Sequence, residues 1–156
     1  MLTLPVPGLT IEQQAAEMLL PMCLWGEARG EGPVGMLGVA HVIVNRAYGA
    51  KAALPEDFVA NQGFKLKAVI LKPLQFSCFN PADPNRHKLL HPETEPVSWG
   101  LALAVSQLVL QGATCDPTHG AVNYLTKSLY ASDQAPKWAR QMRVTAEHGN
   151  HIFGVA

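Results

Sequence analysis

The sequence is short of charge. Only 15% of its residues are Asp, Glu, Lys or Arg, and 12 basic against 12 acidic side chains leave a formal net charge of zero. The strongly positive field of a nucleic-acid binder is therefore missing, and no nucleic-acid partner is expected. Basic residues gather only locally, at Lys65, Lys67 and Lys72, at Arg86, His87 and Lys88, and at Lys137, Arg140 and Arg143. Such clusters read as solvated surface, or as a guide for an anionic polymer. Cysteine is scarce and odd in number: Cys23, Cys78 and Cys115 show neither a paired spacing nor a zinc pattern. That does not read as a disulfide framework and suits a reducing compartment. No basic residue precedes Arg29, so the positive start of a secretory signal is lacking, and synthesis in the cytoplasm without a signal peptide is the expectation. Pro96 to Cys115 carries no charge and is about long enough to span a bilayer. Ser98, Gly100, Ser106, Gln107 and Gln111 interrupt it and Gly112 stops it, which favours a buried central helix and no stable membrane insertion.

What is present supports a real core. Apolar residues make up 48% of the 156. A chain of this size buries roughly two-thirds of its unfolded surface, enough to fold without metal or disulfides. No repeat or Ser/Gly linker divides it, so residues 1–156 read as a single domain, expected to be a monomer, with 1–9 as an irregular lead-in. Thr10 and Gln13 fit a capping box, and a first helix is expected from about Ile11 to Ala28 with a kink at Pro21. A second, apolar nearly all round, should follow Pro33 over 34–47 and end near Gly49. A short helix at 66–71, a proline-rich irregular stretch at 73–92, and a helix at 95–111 that carries the uncharged run come next. Ala121 to Leu125 reads as a strand and 136–143 as a short helix; 143–147 and 151–155 read as a hairpin turned by His148, Gly149 and Asn150. The sum is an α+β class, mostly helical, with a small β-hairpin or sheet.

The densest chemistry is Trp25-Gly26-Glu27-Ala28-Arg29-Gly30-Glu31-Gly32. A carboxyl set against an aromatic ring in an apolar wall has its charged form penalised, so it can hold a proton and donate it. Glycosidic cleavage needs that donor, because an alkoxide leaves poorly. Gly26, Gly30 and Gly32 would let a bulky polymer approach the backbone. Spacing alone also permits a plain helix end with two solvated glutamates and a pairing to Arg29.

Five separated segments sharpen this. Trp25 to Glu31, Gly35 through Asn45-Arg46, Gln75-Phe76-Ser77, Asp116 to Ala121, and Gly149-Asn150-His151-Ile152-Phe153 together resemble the cell-wall hydrolase family that includes the catalytic domain of spore cortex-lytic enzymes. The resemblance implies a lysozyme-like fold related to lytic transglycosylases. It also implies cleavage of peptidoglycan between N-acetylmuramic acid and N-acetylglucosamine, with no cofactor. It places the catalytic acid on Glu27 and makes Glu31 structural or a secondary site residue. His119 stands where the family often has a small or amide residue. A free-standing catalytic domain of this length is similar to a phage endolysin, which would act on the wall from the host periplasm.

Gln75, Ser77, Asn150 and His151 are candidate substrate-binding residues, the first and third through acetamido groups, and Phe76 and Tyr124 could stack on sugar faces. Phe76 and Tyr124 equally read as core, and Gln75 and Asn150 as turn residues. If the first helix ran on, Glu31 would share a side with Glu27, at roughly 5–6 Å between Cβ atoms. With one carboxylate, the substrate's own acetamido oxygen or 6-hydroxyl would meet the developing cation. Three rival readings exist. A metal-dependent amidase would use Glu147, His148, His151 and His119 or Cys115, but His148 and His151 are expected on different faces. A Cys–His peptidase would use Cys78 or Cys23, without a helix start to activate the thiol. A non-catalytic wall-binding module would need no buried acid.

Overall fold

The computed structural model describes residues 3–50, 58, 63–73 and 75–156. The order begins with a 3-10 turn, Ile11–Gln13, and helices α1 (Ala16–Ala28), α2 (Gly32–Tyr48) and α3 (Phe64–Leu71). Three further 3-10 turns, Ser77–Phe79, Arg86–Leu90 and Pro92–Thr94, lead to α4 (Pro96–Leu110). Strand β1 (Asn123–Thr126), helices α5 (Lys127–Tyr130) and α6 (Lys137–Gln141), and strands β2 (Arg143–His148) and β3 (His151–Val155) complete it. This is the lysozyme-like, mostly helical α+β class with a small sheet.

Helix α1 is the hub. Its residues are apolar almost all round, and Met18 through Trp25 are buried on every side by α2, α3 and α4. It begins later than the sequence pattern suggests. The Thr10–Gln13 capping box forms, but it closes only the 3-10 turn. Gln14 then turns extended (ψ 148°) and buries its amide, accepting from Val6 N at 2.9 Å and donating to Val6 O at 3.0 Å. That side-chain grip on the lead-in outcompetes helix continuation. Pro21 is accommodated inside the helix. The lead-in is tied a second time where Trp99 Nε1 donates to Thr3 O at 2.8 Å.

Helix α2 starts with Pro33 in its first turn and ends where Gly49 (φ 86°) donates back to Asn45 O. Helix α4 is the uncharged segment; no helix among the described residues is long and apolar enough to cross a membrane. The sheet has order β1-β3-β2, antiparallel throughout, with β3 central and buried from His151 to Gly154. Gly149 (φ 54°) and Asn150 make the two-residue hairpin turn. Tyr124 pairs with Phe153, and Phe153 packs with Val42 and Ala121, so this face meets α2. Leu125 and Ile152 face the other way, onto Ala139 and Met142. The sheet thus docks by its Phe153 face on α2, and its hairpin turn reaches the α1–α2 corner where the motif residues lie.

Candidate active site

Glu27 sits in the last turn of α1, half-buried. Two donors of the Ser77–Phe79 turn face its Oε1: Cys78 N at 3.2 Å and, more weakly, Ser77 Oγ at 3.5 Å. The turn comes that close because residue 26 has no side chain. A Cβ there would stand 2.7 Å from Cys78 Sγ and 3.0 Å from Leu89 Cδ2. Gly26 therefore admits a segment of this chain rather than a polymer, correcting the sequence expectation; at Gly30 and Gly32 the space is open.

The aromatic wall is also not the expected one. Trp25 is 1% exposed and turns to α4, donating to Ser98 Oγ at 3.0 Å and meeting Trp99 edge-on at 6.1 Å. Residues two apart on a helix do not share a face. The aromatic residue that Glu27 influences electrostatically is Tyr124 of β1. Its hydroxyl is pushed well above the ordinary range by burial and then by the charge of Glu27, so it stays a neutral O–H within electrostatic reach of the carboxylate. Arg46 of α2 joins the group. Its Nε donates to Val122 O, one NH donates to Gln75 Oε1 at 3.3 Å, and the guanidinium lies 5.7 Å above the Phe76 ring. Burial lowers its pKa, opposed by Tyr124 and Cys23.

Glu31 is elsewhere in role. α1 ends at Ala28, and Glu31 becomes the residue before α2, so the continuous helix that would align it with Glu27 does not exist. Its carboxylate accepts from Asn150 N at 3.1 Å and lies 3.9 Å from His151 Nδ1. It buckles the α1–α2 corner to the hairpin turn, where Gly149 leaves room for Oε2. Arg29 pairs with Glu95 at 3.2 Å and covers Trp25 rather than pairing with Glu27 or Glu31.

The substrate-binding candidates separate into two groups. Gln75, Ser77 and Asn150 are exposed, and the first two lie at the Glu27 turn. Phe76 is 2% and His151 6% exposed, so neither ring offers a face to a sugar. Tyr124 is held edge-on to His151 at 5.1 Å and beside Phe153 at 5.9 Å, and the charge of Glu27 reaches its hydroxyl.

Behind the site, Asp116 is a hub to which the sequence pattern assigns no role. It accepts from Asn45 Nδ2, from Thr118 N and Oγ1, and from Gly120 N, between 2.6 and 2.9 Å. Burial raises its pKa, but these bonds outweigh that and hold it below the ordinary carboxylate value. The loop it gathers puts His119 at φ 55°, the left-handed region where an amide or glycine sits more easily. Asn45 also donates to Ala121 O at 2.9 Å, joining α2 to the chain entering β1.

His148 and His151 pair directly across the β2–β3 ladder, and both rings meet Phe153; they share a face, contrary to the sequence expectation. His148 Nε2 is nevertheless occupied by Pro117 O at 2.7 Å, and no group of three or more His, Cys, Asp or Glu among the described residues is placed to hold a metal. A cavity of about 440 Å³ between α1 and α4, lined by Met18, Pro21, Leu103 and Leu110, lies at the opposite end of α1 from Glu27.

Two solved structures share the fold. The catalytic domain of the germination-specific lytic transglycosylase SleB from Bacillus anthracis superposes with a TM-score of 0.57 at 21% identity, covering 96% of this chain and 99% of that one. The catalytic domain of the Bacillus cereus SleB protein gives 0.58 at 21%, covering 99% and 98%. No curated protein matches. A family profile described as cell wall hydrolase matches residues 30–154, beginning just past Glu27. With the greater part of its length matched, the chain belongs to the cell wall hydrolase family, enzymes that act on peptidoglycan.

Proposed function

We propose that this protein cleaves the glycan strands of peptidoglycan at the N-acetylmuramic acid–N-acetylglucosamine bond, with Glu27 as the acid. The observation that carries this is the placement of one half-buried carboxylate at the end of the central helix, aimed by Cys78 N and Ser77 Oγ. Family membership supplies the wall as substrate. Glu27 gives its proton to the glycosidic oxygen as the bond to the muramic C1 breaks, and positive charge grows on that ring. The carboxylate left behind is then a base. Glu31, held by Asn150 N, is not free to face the cation, so we assign it no chemical step. The muramic 6-hydroxyl attacks C1 and yields its proton to Glu27, leaving a 1,6-anhydro end. The Bacillus anthracis neighbour, a lytic transglycosylase, supports this route over simple hydrolysis.

Glu27→Gln should keep the far-ultraviolet dichroism of the parent and lose about 10²–10⁴-fold in wall lysis, the usual contribution of a positioned proton donor. Lysis at the parental rate would refute the assignment. Mass analysis of muropeptides released from purified sacculi reads the bond and outcome together. Anhydromuramic ends support the 6-hydroxyl route, reducing ends point to water as the nucleophile, and free peptides would overturn glycan cleavage. An endolysin role predicts rapid loss of turbidity when the protein meets Gram-negative cells with permeabilised outer membranes.

A further inference from the structure

The fold brings together two thiols that no step above uses. Cys23 lies on α1, fully buried, and Cys78, 7% exposed, lies in the Ser77–Phe79 turn packed on that helix. Both are free cysteines. Their closeness follows from Gly26, whose missing Cβ would stand 2.7 Å from Cys78 Sγ and 2.9 Å from Cys78 Cβ. Cys23 precedes Gly26 by three residues on the same helix face, where Cβ positions are roughly 5–6 Å apart. Cys78 therefore seats its side chain in the notch of Gly26, one helical turn from Cys23 on the same face. The two thiols also sense each other: burial first, and then the Cys78 thiol, push Cys23 well above its ordinary value.

We propose that Cys23 and Cys78 are a disulfide-forming pair that closes once the chain reaches an oxidising compartment and fastens the Ser77–Phe79 turn to α1. A wall enzyme works where disulfides persist. The oxidant is an external disulfide, either a small molecule or a protein. The thiolate of Cys78, the more exposed of the two, attacks one of its sulfurs, forms a mixed disulfide and expels one thiolate. Cys23 then attacks Cys78 Sγ, gives up its proton to the first departed thiolate as the internal bond forms, and expels the second thiolate. Two protein thiols are oxidised, the external disulfide is reduced to two thiols, and the two protons pass to them. The bond pins the turn whose Cys78 N–H reaches Glu27. It is read without any lysis assay, so it stands apart from the role of Glu27.

The test uses the full chain with exposed Cys115 changed to Ser, purified reduced and then incubated with oxidised glutathione. The expected product has lost the mass of two hydrogens, carries no alkylatable thiol after denaturation, and yields a peptide linking Cys23 to Cys78. Its thermal midpoint should lie roughly 5–15 °C above that of the reduced form, since closing a long loop restricts the unfolded chain. Two thiols still alkylatable, a glutathione adduct persisting on either cysteine, or an unchanged midpoint would each overturn the proposal. Adding Cys23→Ala should leave a glutathione adduct on Cys78 and abolish the rise; a rise that survives would count against the pair.

Discussion

At the scale of residues, the site depends on one absent side chain as much as on the carboxylate. Gly26→Ala would drive a methyl into Cys78 and Leu89 and push away the turn that aims Glu27. Overpacking of this kind costs about 1–3 kcal/mol, so a lowered denaturant midpoint together with a clear loss of lysis is expected; an unchanged midpoint would mean the turn has slack. Glu31→Ala should instead cost about 1–2 kcal/mol, because Asn150 N loses a charged acceptor. Urea titration checks this. Glu27 stands out in the sequence because a short motif surrounds it. Tyr124 stands among the candidate sugar-binding residues, but its coupling to Glu27 is not legible in the sequence, since it is set by where β1 lies relative to the end of α1.

At the scale of elements, the loop before β1 is organised by a single acid. Asp116 draws Thr118, Gly120 and Asn45 to itself, and Asn45 carries the link on to Ala121. Asp116→Ala would strand several polar groups at once, for about 2–4 kcal/mol. Faster hydrogen exchange at Gly120 and Ala121 than in α1 should accompany the loss; uniform exchange would deny the loop its separate anchor. Helix periodicity recovered α2 and α4 to within a few residues, because a buried apolar helix writes its length in its composition. The start of α1 was missed, because the side chain of Gln14 has partners eight residues back that no local rule reveals. The hairpin was legible from Gly149-Asn150, whereas the facing of its two histidines was not, since it depends on register.

At the scale of the whole molecule, two groups contribute to the acid side of stability. Burial holds His41 below its ordinary 6.5, against the raising influence of Asp116 4.0 Å away. The unfolded chain therefore takes up that proton first, and stability present above about pH 6.5 is lost progressively below it. Asp116, held below 3.8, loses its own contribution as pH falls through its folded value. Both slopes have the same sign, so the urea midpoint should drop from pH 7 to pH 5 and drop further toward pH 3. A midpoint higher at pH 5 than at pH 7 would contradict this. By itself the sequence determined the class, a mostly helical single chain with a small sheet, and the motif that marks Glu27, because apolar periodicity and short motifs are local properties. Only the tertiary structure decided that Gly26 receives Cys78, that Glu31 is a buckle, and that Cys23 has a partner. Each of these is a meeting of distant segments, fixed by how α1 is packed and invisible to spacing along the chain.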